Sequence, residues 1–579
     1  MTTEEKQCQN CKKIFTIDSE DFDFYKKIDV PPPMWCPECR MIRRMNWRNE
    51  RTLYRRECGA CKKKILTIYS QDSQLYVFCH ECWNSDGWDP QDFSVEYNWN
   101  KNFFLQFDEL FKKIPLVSAD RKKINVNSEY GNYLGGCKNC YMCFSVAESE
   151  NGYYLSNCQE NKDCFDSSFL KGSEKCYEGI DGEKNFDCIF FQKTRESVSS
   201  SFLFNSANSS NCFMSANLKN KNYVFRGEQL DQVEYKKRVK EINFESYRTI
   251  EELKREYLKL KTNALCRNIE QKHSVGVTGD NITNSKDVSY SFDVNDSENV
   301  KFSLRILKGS KDIYDCHGMV GGELVYEGFG CGFSPRKNLF SFSIDTSRDM
   351  IYCAMCHNCS NCLASIGLRN KEYCILNKQY TKEEYELLLP KIKQHMFDMP
   401  YIDQKGRTYT YGEFFPPELS PFGYNETIAQ EYFPLTKEQA LAQGFSWKDP
   451  EEKNYTITKK PEDLPDTITD APDSITSEVI GCMHQGTCTH QCTTAFKIIP
   501  EELEFYRRMH LPLPRLCPNC RHYERLAQRN PLKLWKRQCM CDKSTHRHNG
   551  VCPNEFETSY APERKEIVYC EQCYQAEVV

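Results

Sequence analysis

The sequence has no apolar run near the ~20 residues that a bilayer-spanning helix needs. Its first residues, Met1 to Gln7, also lack the apolar core of a secretory signal. Disulfides are rare in the reducing compartments where unexported chains stay. We therefore predict a cytoplasmic protein without a membrane partner, whose 34 cysteines serve as metal ligands or as buried small hydrophobic residues.

Motifs of catalysis are scarce as well. There is no Gly-rich phosphate loop, no His-Glu-x-x-His motif and no nucleophile elbow. The run Asp315-Cys316-His317 could supply a nucleophile and a base, but adjacent residues of a strand point to opposite faces. The sequence favours a non-enzymatic protein over an enzyme.

Cysteine pairs with metal-ligand spacing stand at both ends of the chain. Two such pairs supply four thiolates to one zinc ion, and complete shells leave no open position for catalysis. We predict about four structural zinc ions, two at each end. The predicted ligands are Cys8, Cys11, Cys36, Cys39, Cys58, Cys61, Cys79, Cys82, Cys488, Cys492, Cys517, Cys520, Cys539, Cys552, Cys570 and Cys573.

The two ends are duplicates of one two-zinc module. The three intervals between successive cysteine pairs have the same lengths at both ends. A single offset of 481 residues also aligns Phe15 with Phe496 and Tyr25 with Tyr506. We assign residues 1–90 to the N-terminal module and residues 481–579 to the C-terminal module.

The first C-terminal pair departs from the pattern, because three residues separate Cys488 from Cys492. His490, or the nearby Cys482 and His484, could replace Cys488 as a ligand. The alternative is that these additional residues lie in an exposed loop, and we expect the loop.

The third C-terminal pair is split by an insertion that holds Cys541, His546 and His548. These residues could form another ligand set, but we again expect exposed loop residues. Ligand pairing is open as well, because a sequential arrangement and a cross-braced one both satisfy the spacing. We prefer the sequential arrangement, since the pair Cys36/Cys39 leads directly into a helix-like segment.

Both ends resemble a zinc-ribbon, treble-clef-like domain family of bacterial proteins whose function is unsettled. The motif is Cys8-x-x-Cys11 with Phe15, then Phe24-Tyr25, then Pro33-x-x-Cys36-Pro-Glu-Cys39-Arg40, and the C-terminal copy repeats it. The resemblance covers about 40 residues at each end. It implies zinc and a fold, and it adds little about activity.

Basic residues follow the second cysteine pair of each module. Residues 40–64 carry a net charge of +8 and residues 521–537 a net charge of +5, so the rest of the chain sums to -18. Arginines at every fourth position share one helix face, which is typical of nucleic-acid binding, and nearby aromatics favour RNA or single strands. Offsetting the zinc–thiolate charge is the alternative. The predicted nucleic-acid contacts are Arg40, Arg44, Arg48, Arg55, Arg56, Arg521, Arg525, Arg529, Lys536 and Arg537.

The middle of the chain repeats a short pattern at intervals of about 12 residues, as at Cys164, Cys176 and Cys188. Short strands at regular spacing predict a parallel β-solenoid with inward-pointing cysteines, two units making one coil of ~24 residues. Metal binding by Cys137/Cys140/Cys143 or by the group from Cys353 to Cys362 is an alternative use of those cysteines.

We therefore predict a mainly β protein with a duplicated solenoid centre and helical caps. An offset of 150 residues relates the two solenoid blocks, residues 125–226 and 275–376. Capping and linking helices occupy 227–274, and a helical connector occupies 91–124. Residues 377–480 supply a cap helix and an acidic, Pro-rich linker that we expect to be mobile.

Three functions fit these features. The first is a non-enzymatic nucleic-acid binder that uses the paired basic helices. The second is a protein-assembly scaffold that uses the solenoid face, with protein partners. The third, a solenoid enzyme acting on a polymer, ranks last.

Overall fold

The chain folds into a mainly β structure, which confirms the predicted fold class at that level. The computed structural model describes residues 3–449 and 455–578. Parallel strands fill the middle of the chain, and antiparallel hairpins beside cysteine clusters lie at both ends.

The N-terminal module alternates hairpins with helices. Strands Glu4–Gln7 and Ile14–Ile17 pair in an antiparallel hairpin, and α1 (Ser19–Ile28) follows them. Helix α2 (Pro37–Met45) begins directly after Cys36, with proline at the first position, where a missing N–H costs nothing. The module continues with strands Tyr54–Glu57, Lys64–Thr67 and Val77–Phe78 and with α3 (His80–Asn84).

A short connector leads from this module to the first central block. It contains the 3-10 helix Pro90–Phe93 and α4 (Phe103–Lys113), which buries four phenylalanines. Strand Leu116–Val117 then pairs in parallel with Val77–Phe78 and ties the connector to the module.

In the first central block, paired residues of neighbouring parallel strands are separated by a constant interval of 12 positions along the chain. Tyr177 pairs with Ile189, for example, and Ile189 with Ser201. One layer therefore has half the length of the coil that we expected. The strands are Arg121–Lys122, Gly131–Gly135, Cys143–Ala147, Ser168–Lys171, Tyr177–Glu183, Ile189–Arg195, Ser201–Ala207, Phe213–Ala216, Val224–Phe225 and Glu228–Gln229.

The backbone explains this short layer. Every third residue from Asn139 to Arg226 has a positive φ, so the chain turns after every third residue and four short sides close one layer. Asparagine and aspartate tolerate such a left-handed turn better than other non-glycine residues. Their side chains also stack between layers, since Asn139 donates to Asn151 over 3.1 Å and Asn151 to Asp163 over 2.9 Å.

The second central block repeats this construction. Its layers advance by the same step, except that the step is shorter by one position from Val275 to Lys286 and longer by one position from Glu298 to Lys311 and from Glu323 to Arg336. The strands are Val275–Thr283, Lys286–Asn295, Glu298–Lys301, Leu304–Leu307, Lys311–Val320, Glu323–Phe329, Arg336–Leu339, Arg348–Ile351, Ser360–Leu363, Glu372–Ile375 and Lys378–Gln379, preceded by Leu265–Arg267 and Gln271–Lys272.

Helices follow the last strand of each block. Asp231 caps α5 (Gln232–Lys240), and the longer α6 (Tyr247–Asn263) leads to the second block. After the second block, Thr381 forms a capping box at the start of α7 (Lys382–Asp398). These are the helices that the sequence placed at the block ends.

The segment after α7 holds short elements and packs against the rest of the chain. The acidic stretch expected to be a mobile linker buries Ile468 and Ile475, and the Asp466 carbonyl accepts from the Tyr247 amide over 2.8 Å. Apolar residues therefore anchor this stretch, and its mobility stays a prediction. The elements are Tyr401–Ile402, Thr408–Tyr409, Pro417–Leu419, Tyr424–Glu426, α8 (Ile428–Tyr432), α9 (Lys437–Ala442), Pro461–Asp463, Ile468–Asp470 and Asp473–Ser477.

The C-terminal module repeats the order of elements of the N-terminal one. Strand Ile567–Tyr569 also pairs in parallel with Leu265–Arg267, which ties the module to the centre of the chain. The elements are Ile480–Gly481, Ala495–Phe496, α10 (Pro500–Arg508), α11 (Pro518–Leu526), Trp535–Gln538, Glu555–Thr558, Ile567–Tyr569 and α12 (Glu571–Val578).

Candidate metal centres and module docking

Two groups of four cysteines converge in the N-terminal module. In each group the four sulfur atoms lie within 4.8 Å of one another. Cys11 Sγ lies 3.7 Å from Cys36 Sγ, and Cys61 Sγ lies 3.9 Å from Cys79 Sγ. The grouping is sequential: Cys8, Cys11, Cys36 and Cys39 form one site, and Cys58, Cys61, Cys79 and Cys82 form the other.

These distances fit zinc. A tetrahedral zinc ion with Zn–S bonds of about 2.3 Å sets its sulfur atoms about 3.8 Å apart, whereas a disulfide requires about 2.0 Å. Backbone amides also point at the sulfurs. The Cys36 amide donates to Cys8 Sγ over 3.2 Å, and the Cys79 amide donates to Cys58 Sγ over 3.2 Å. Such donors stabilise thiolates, the form that binds a metal.

The C-terminal module holds two equivalent groups, with one change of ligand. Cys482 takes the place expected for Cys488: its sulfur lies 3.8 Å from Cys520 Sγ and accepts from the Cys517 amide over 3.3 Å. This is the position that Cys8 has in the N-terminal module. The groups are Cys482, Cys492, Cys517 and Cys520, and Cys539, Cys552, Cys570 and Cys573.

The thiols of a group compete for one negative charge. Hydrogen bonds with Cys36 and Cys39 lower the pKa of Cys8, and hydrogen bonds with Cys36 and Cys8 raise the pKa of Cys39. In the C-terminal module a hydrogen bond from Cys482 lowers the pKa of Cys517 and raises that of Cys520. Four thiolates can therefore share one site only around a cation, as zinc supplies.

The cysteines of the central blocks lie inside the layers. Cys140, Cys143 and Cys164 are buried, and their sulfurs donate to backbone carbonyls, as from Cys140 to Ser149 over 3.4 Å. The run Asp315-Cys316-His317 is divided in the same way. Cys316 donates inward to the Val325 carbonyl over 3.5 Å, while Asp315 faces the N-terminal module.

Helix α2 docks on the second block through buried arginines. Arg40 donates to Asp315 over 2.8 Å, and Arg44 contacts both Asp315 and Glu327, over 3.3 and 2.9 Å. Arg43, which the sequence analysis passed over, donates to Glu327 over 2.8 Å. Burial would lower the pKa of Arg40, but the Asp315 carboxylate raises it well above its usual value.

Helix α11 docks on the first block in the same manner. Arg521 and Arg525 both contact Asp166, the latter over 3.0 Å, and Arg521 reaches Glu502 over 3.3 Å. Asp166 precedes Asp315 by 149 residues, and the longer layer step after Glu323 explains why this differs from the offset of 150. Each module therefore docks on the corresponding layer of the block that lies further from it in the sequence.

An aromatic stack accompanies each docking. The ring centroids of Phe24 and Tyr314 lie 3.9 Å apart, and those of Phe505 and Phe165 lie 3.6 Å apart, with nearly parallel rings in both pairs. The two phenylalanines are module counterparts, related by the same offset as Tyr25 and Tyr506, and Tyr314 follows Phe165 by 149 residues.

One further arginine of each module lies between the two blocks. Arg48 donates to Ser145 of the first block over 3.1 Å. Its counterpart Arg529 bridges the blocks, with Asp181 at 2.8 Å and Asp293 at 2.7 Å. No local sequence pattern identifies these partners, because the paired residues are far apart along the chain.

The prediction of exposed basic helix faces is wrong, because five of the six helix-region arginines are buried and the Arg529 side chain, paired with Asp181 and Asp293, is only 7% exposed. Arg55 and Lys536 are exposed on hairpin strands, whereas Arg56 and Arg537 are half-buried, and Arg56 donates to the carbonyls of Ser70 and Leu75. The five buried arginines are Arg40, Arg44, Arg48, Arg521 and Arg525.

Comparison with protein-family models and with curated proteins finds no match for this chain. The resemblance of both ends to a zinc-ribbon family therefore rests on the four-cysteine groups. Within residues 3–449 and 455–578, the longest apolar helices fall short of what a membrane crossing requires.

Proposed function

We propose that this protein is a non-enzymatic, zinc-stabilised scaffold that binds a polypeptide partner in a cleft between two parallel β-solenoid blocks. The observation that carries the proposal is the cleft itself, which has a volume of about 710 Å³. Pockets of this size accommodate sizeable ligands. Thiol ligands in the four-cysteine groups go with a reducing compartment such as the cytoplasm.

The modules would act as clamps that hold the walls of this cleft. Each module is organised by its cysteine groups and docks through buried ion pairs, and Arg529 joins Asp181 of one wall to Asp293 of the other. A buried ion pair is costly to break once formed, so the walls keep a fixed separation. Rigid walls favour tight binding, because a preorganised site loses little entropy on association.

The walls present regular rows of side chains. Residues of one row lie in successive layers, so they are spaced like the side chains of neighbouring strands, ~4.8 Å apart. Such rows suit an extended chain that lies along them. The row of the first block is Gly135, Ala147, Gln159, Lys171, Glu183 and Arg195, and that of the second is Thr283, Asn295, Leu307, Val320 and Gly332.

The charges of the cleft favour a polypeptide over a polyanion. Cations such as Lys171 and Arg195 alternate with carboxylates such as Glu183, Glu270 and Asp296. A nucleic acid would meet the carboxylates unfavourably, whereas a polypeptide can match both signs.

A photo-cross-linker placed at Gln159 in the cleft tests the proposal in cells. We expect polypeptide adducts from Gln159 that survive nuclease treatment. A cross-linker at Lys162, exposed on the outer face of the same block, is the matched control and should give few of them. Equal adducts from both positions, or adducts that nuclease removes, would contradict the scaffold.

Nucleic-acid binding is a second candidate, and a basic recess beside the second N-terminal cysteine group favours it. The recess has a volume of about 1210 Å³, and Tyr130 at its edge could stack on an unpaired base. Its six cations outnumber three carboxylates, Glu57, Glu81 and Glu129. The cations are Arg55, Arg56, Lys63, Lys64, Arg121 and Lys123.

This candidate predicts salt-sensitive binding of single-stranded RNA at the recess. In a fluorescence-polarisation titration, R55E/K64E should weaken binding at least tenfold, while the outer-face control K138E/K162E should leave it unchanged. Absence of binding at low salt, or equal effects of the two variants, would remove this candidate.

A further inference from the structure

The C-terminal module contains additional metal-binding side chains that its N-terminal counterpart lacks. In each of its four-cysteine groups, the loop between the first two cysteines is longer than in the N-terminal module. Ten positions separate Cys482 from Cys492 and thirteen separate Cys539 from Cys552, against three in the N-terminal pairs. Each enlarged loop brings one additional cysteine and two histidines. The added residues are His484, Cys488 and His490 in one loop and Cys541, His546 and His548 in the other.

The first enlarged loop folds back onto its own zinc group. The ligand atoms of His484, Cys488, His490 and Cys520 all lie within 4.8 Å of one another. Cys488 Sγ lies 3.6 Å from Cys520 Sγ, the tetrahedral spacing found in the four-cysteine groups. Cys520 belongs to both sets, because it is also a member of the four-cysteine group with Cys482.

The imidazoles of this loop are oriented as ligands. The Nδ1 atoms of His484 and His490 are buried and have no hydrogen-bond partner among the described residues. A buried polar nitrogen without a partner is costly, and a metal ion would satisfy it. Glu524 lies 3.6 Å from the other ring nitrogen of His484, the usual place for a carboxylate that orients a metal-bound histidine.

The second enlarged loop reproduces these features independently. Cys541 is fully buried and its sulfur lies 3.0 Å from His546 Nδ1, while His548 Nε2 lies 3.5 Å from Cys573 Sγ. The outer ring nitrogens again have partners: His546 Nε2 donates to Glu577 over 3.1 Å. Cys573, like Cys520, is the last cysteine of its four-cysteine group.

We infer that each loop insertion adds a second zinc ion to its four-cysteine site, with Cys520 or Cys573 as a bridging thiolate. In each added site two histidines, one terminal cysteine and the bridging cysteine complete a tetrahedral shell. Because the imidazoles are neutral and one thiolate is shared, the two-zinc site carries less net negative charge per metal ion than an isolated four-thiolate zinc site. The expected loop residues are therefore ligands.

Metal content of the intact chain tests this inference. The inference predicts about six zinc ions per chain, two in the N-terminal module and four in the C-terminal one. H484A/H490A and H546A/H548A should each lose one ion and keep the neighbouring four-cysteine site. The matched control H273A/H510A changes two exposed histidines outside the loops and should lose none.

X-ray absorption at the zinc edge gives a second measurement that does not depend on stoichiometry. The wild type should show a Zn–N contribution at ~2.0 Å beside Zn–S at ~2.3 Å, and the two histidine variants should each lower the Zn–N contribution. Circular dichroism establishes that the variants fold. Four zinc ions with sulfur ligands alone, unchanged by either variant, would overturn the inference, and an effect of only one variant would overturn it for the other loop.

Discussion

The two Cys-rich modules dock in the same way on different blocks. Arg40 and Arg44 of the N-terminal module contact Asp315, and Arg521 and Arg525 of the C-terminal module contact Asp166. Since the modules and the blocks are both duplicated, the docking is repeated as well. The regularly spaced arginines of the two docking helices therefore form ion pairs within the chain.

The modules differ at one position of the docking helix, and the surroundings compensate for it. Arg43 of the N-terminal module corresponds to Glu524 of the C-terminal one, so the charge is reversed. Arg43 pairs with Glu327, whereas the corresponding carboxylate, Glu178, pairs with Lys254 of α6 over 3.1 Å. Burial raises the pKa of Glu524 to about 7, and the nearby Lys254 opposes that rise.

Zinc removal should affect both modules, and it has the largest expected effect on stability. A structural zinc site contributes ~10 kcal/mol or more to folding, so a chelator should unfold both modules before the central blocks. Limited proteolysis followed by mass spectrometry should show early cleavage at both ends. Unchanged protease resistance at both ends after metal loss would show that the ions are not structural.

Removal of a docking carboxylate should rank next. D166N and D315N each remove a carboxylate that two buried arginines share, and breaking a buried ion pair costs ~3–5 kcal/mol. We expect D166N to be the more damaging, because Arg44 keeps its contact with Glu327 in D315N, whereas Arg525 loses its contact with Asp166. Urea titration of the free energy of unfolding measures both.

The matched control for these variants is E150Q, which removes an exposed ion pair with Lys138. Exposed ion pairs contribute little to stability, so this variant should stay close to wild type. Equal stability of E150Q, D166N and D315N would contradict the docking role of the two aspartates.

Much of the local structure could be predicted from the sequence, because its signals are local. The constant offset between the two ends indicated paired modules, and the cysteine spacing indicated the four-thiol groups. The repeat interval of the central blocks was visible too, but the turn at every third residue was missed, although Cys137, Cys140 and Cys143 carry that period.

The docking could not be predicted in the same way. Arg40 and Asp315 are 275 residues apart, and no local pattern identifies them as partners. An arginine-rich helix face is predicted to be exposed when the carboxylates that pair with it cannot be identified from the sequence. The net charge of -18 outside the two basic stretches was a signal that such partners exist within the chain.

The smallest expected effect on stability comes from the surroundings of Glu524, where the two modules differ in charge. K254M removes the cation beside Glu178 and Glu524, and it should destabilise the chain by about 1 kcal/mol, since the lysine is partly exposed. Adding E178Q should restore part of the loss, because the two carboxylates no longer repel each other. An additive double variant in the same urea titration would argue against this compensation.

The most direct test of the crosswise docking is hydrogen exchange, measured by mass spectrometry, on wild type, D315N and D166N. In D315N we expect faster exchange in the N-terminal module and in the second block where it docks. The C-terminal module should keep its protection. D166N should show the reverse, with faster exchange in the C-terminal module and the first block. Faster exchange confined to the mutated block, or spread equally over both modules in both variants, would contradict crosswise docking of the modules.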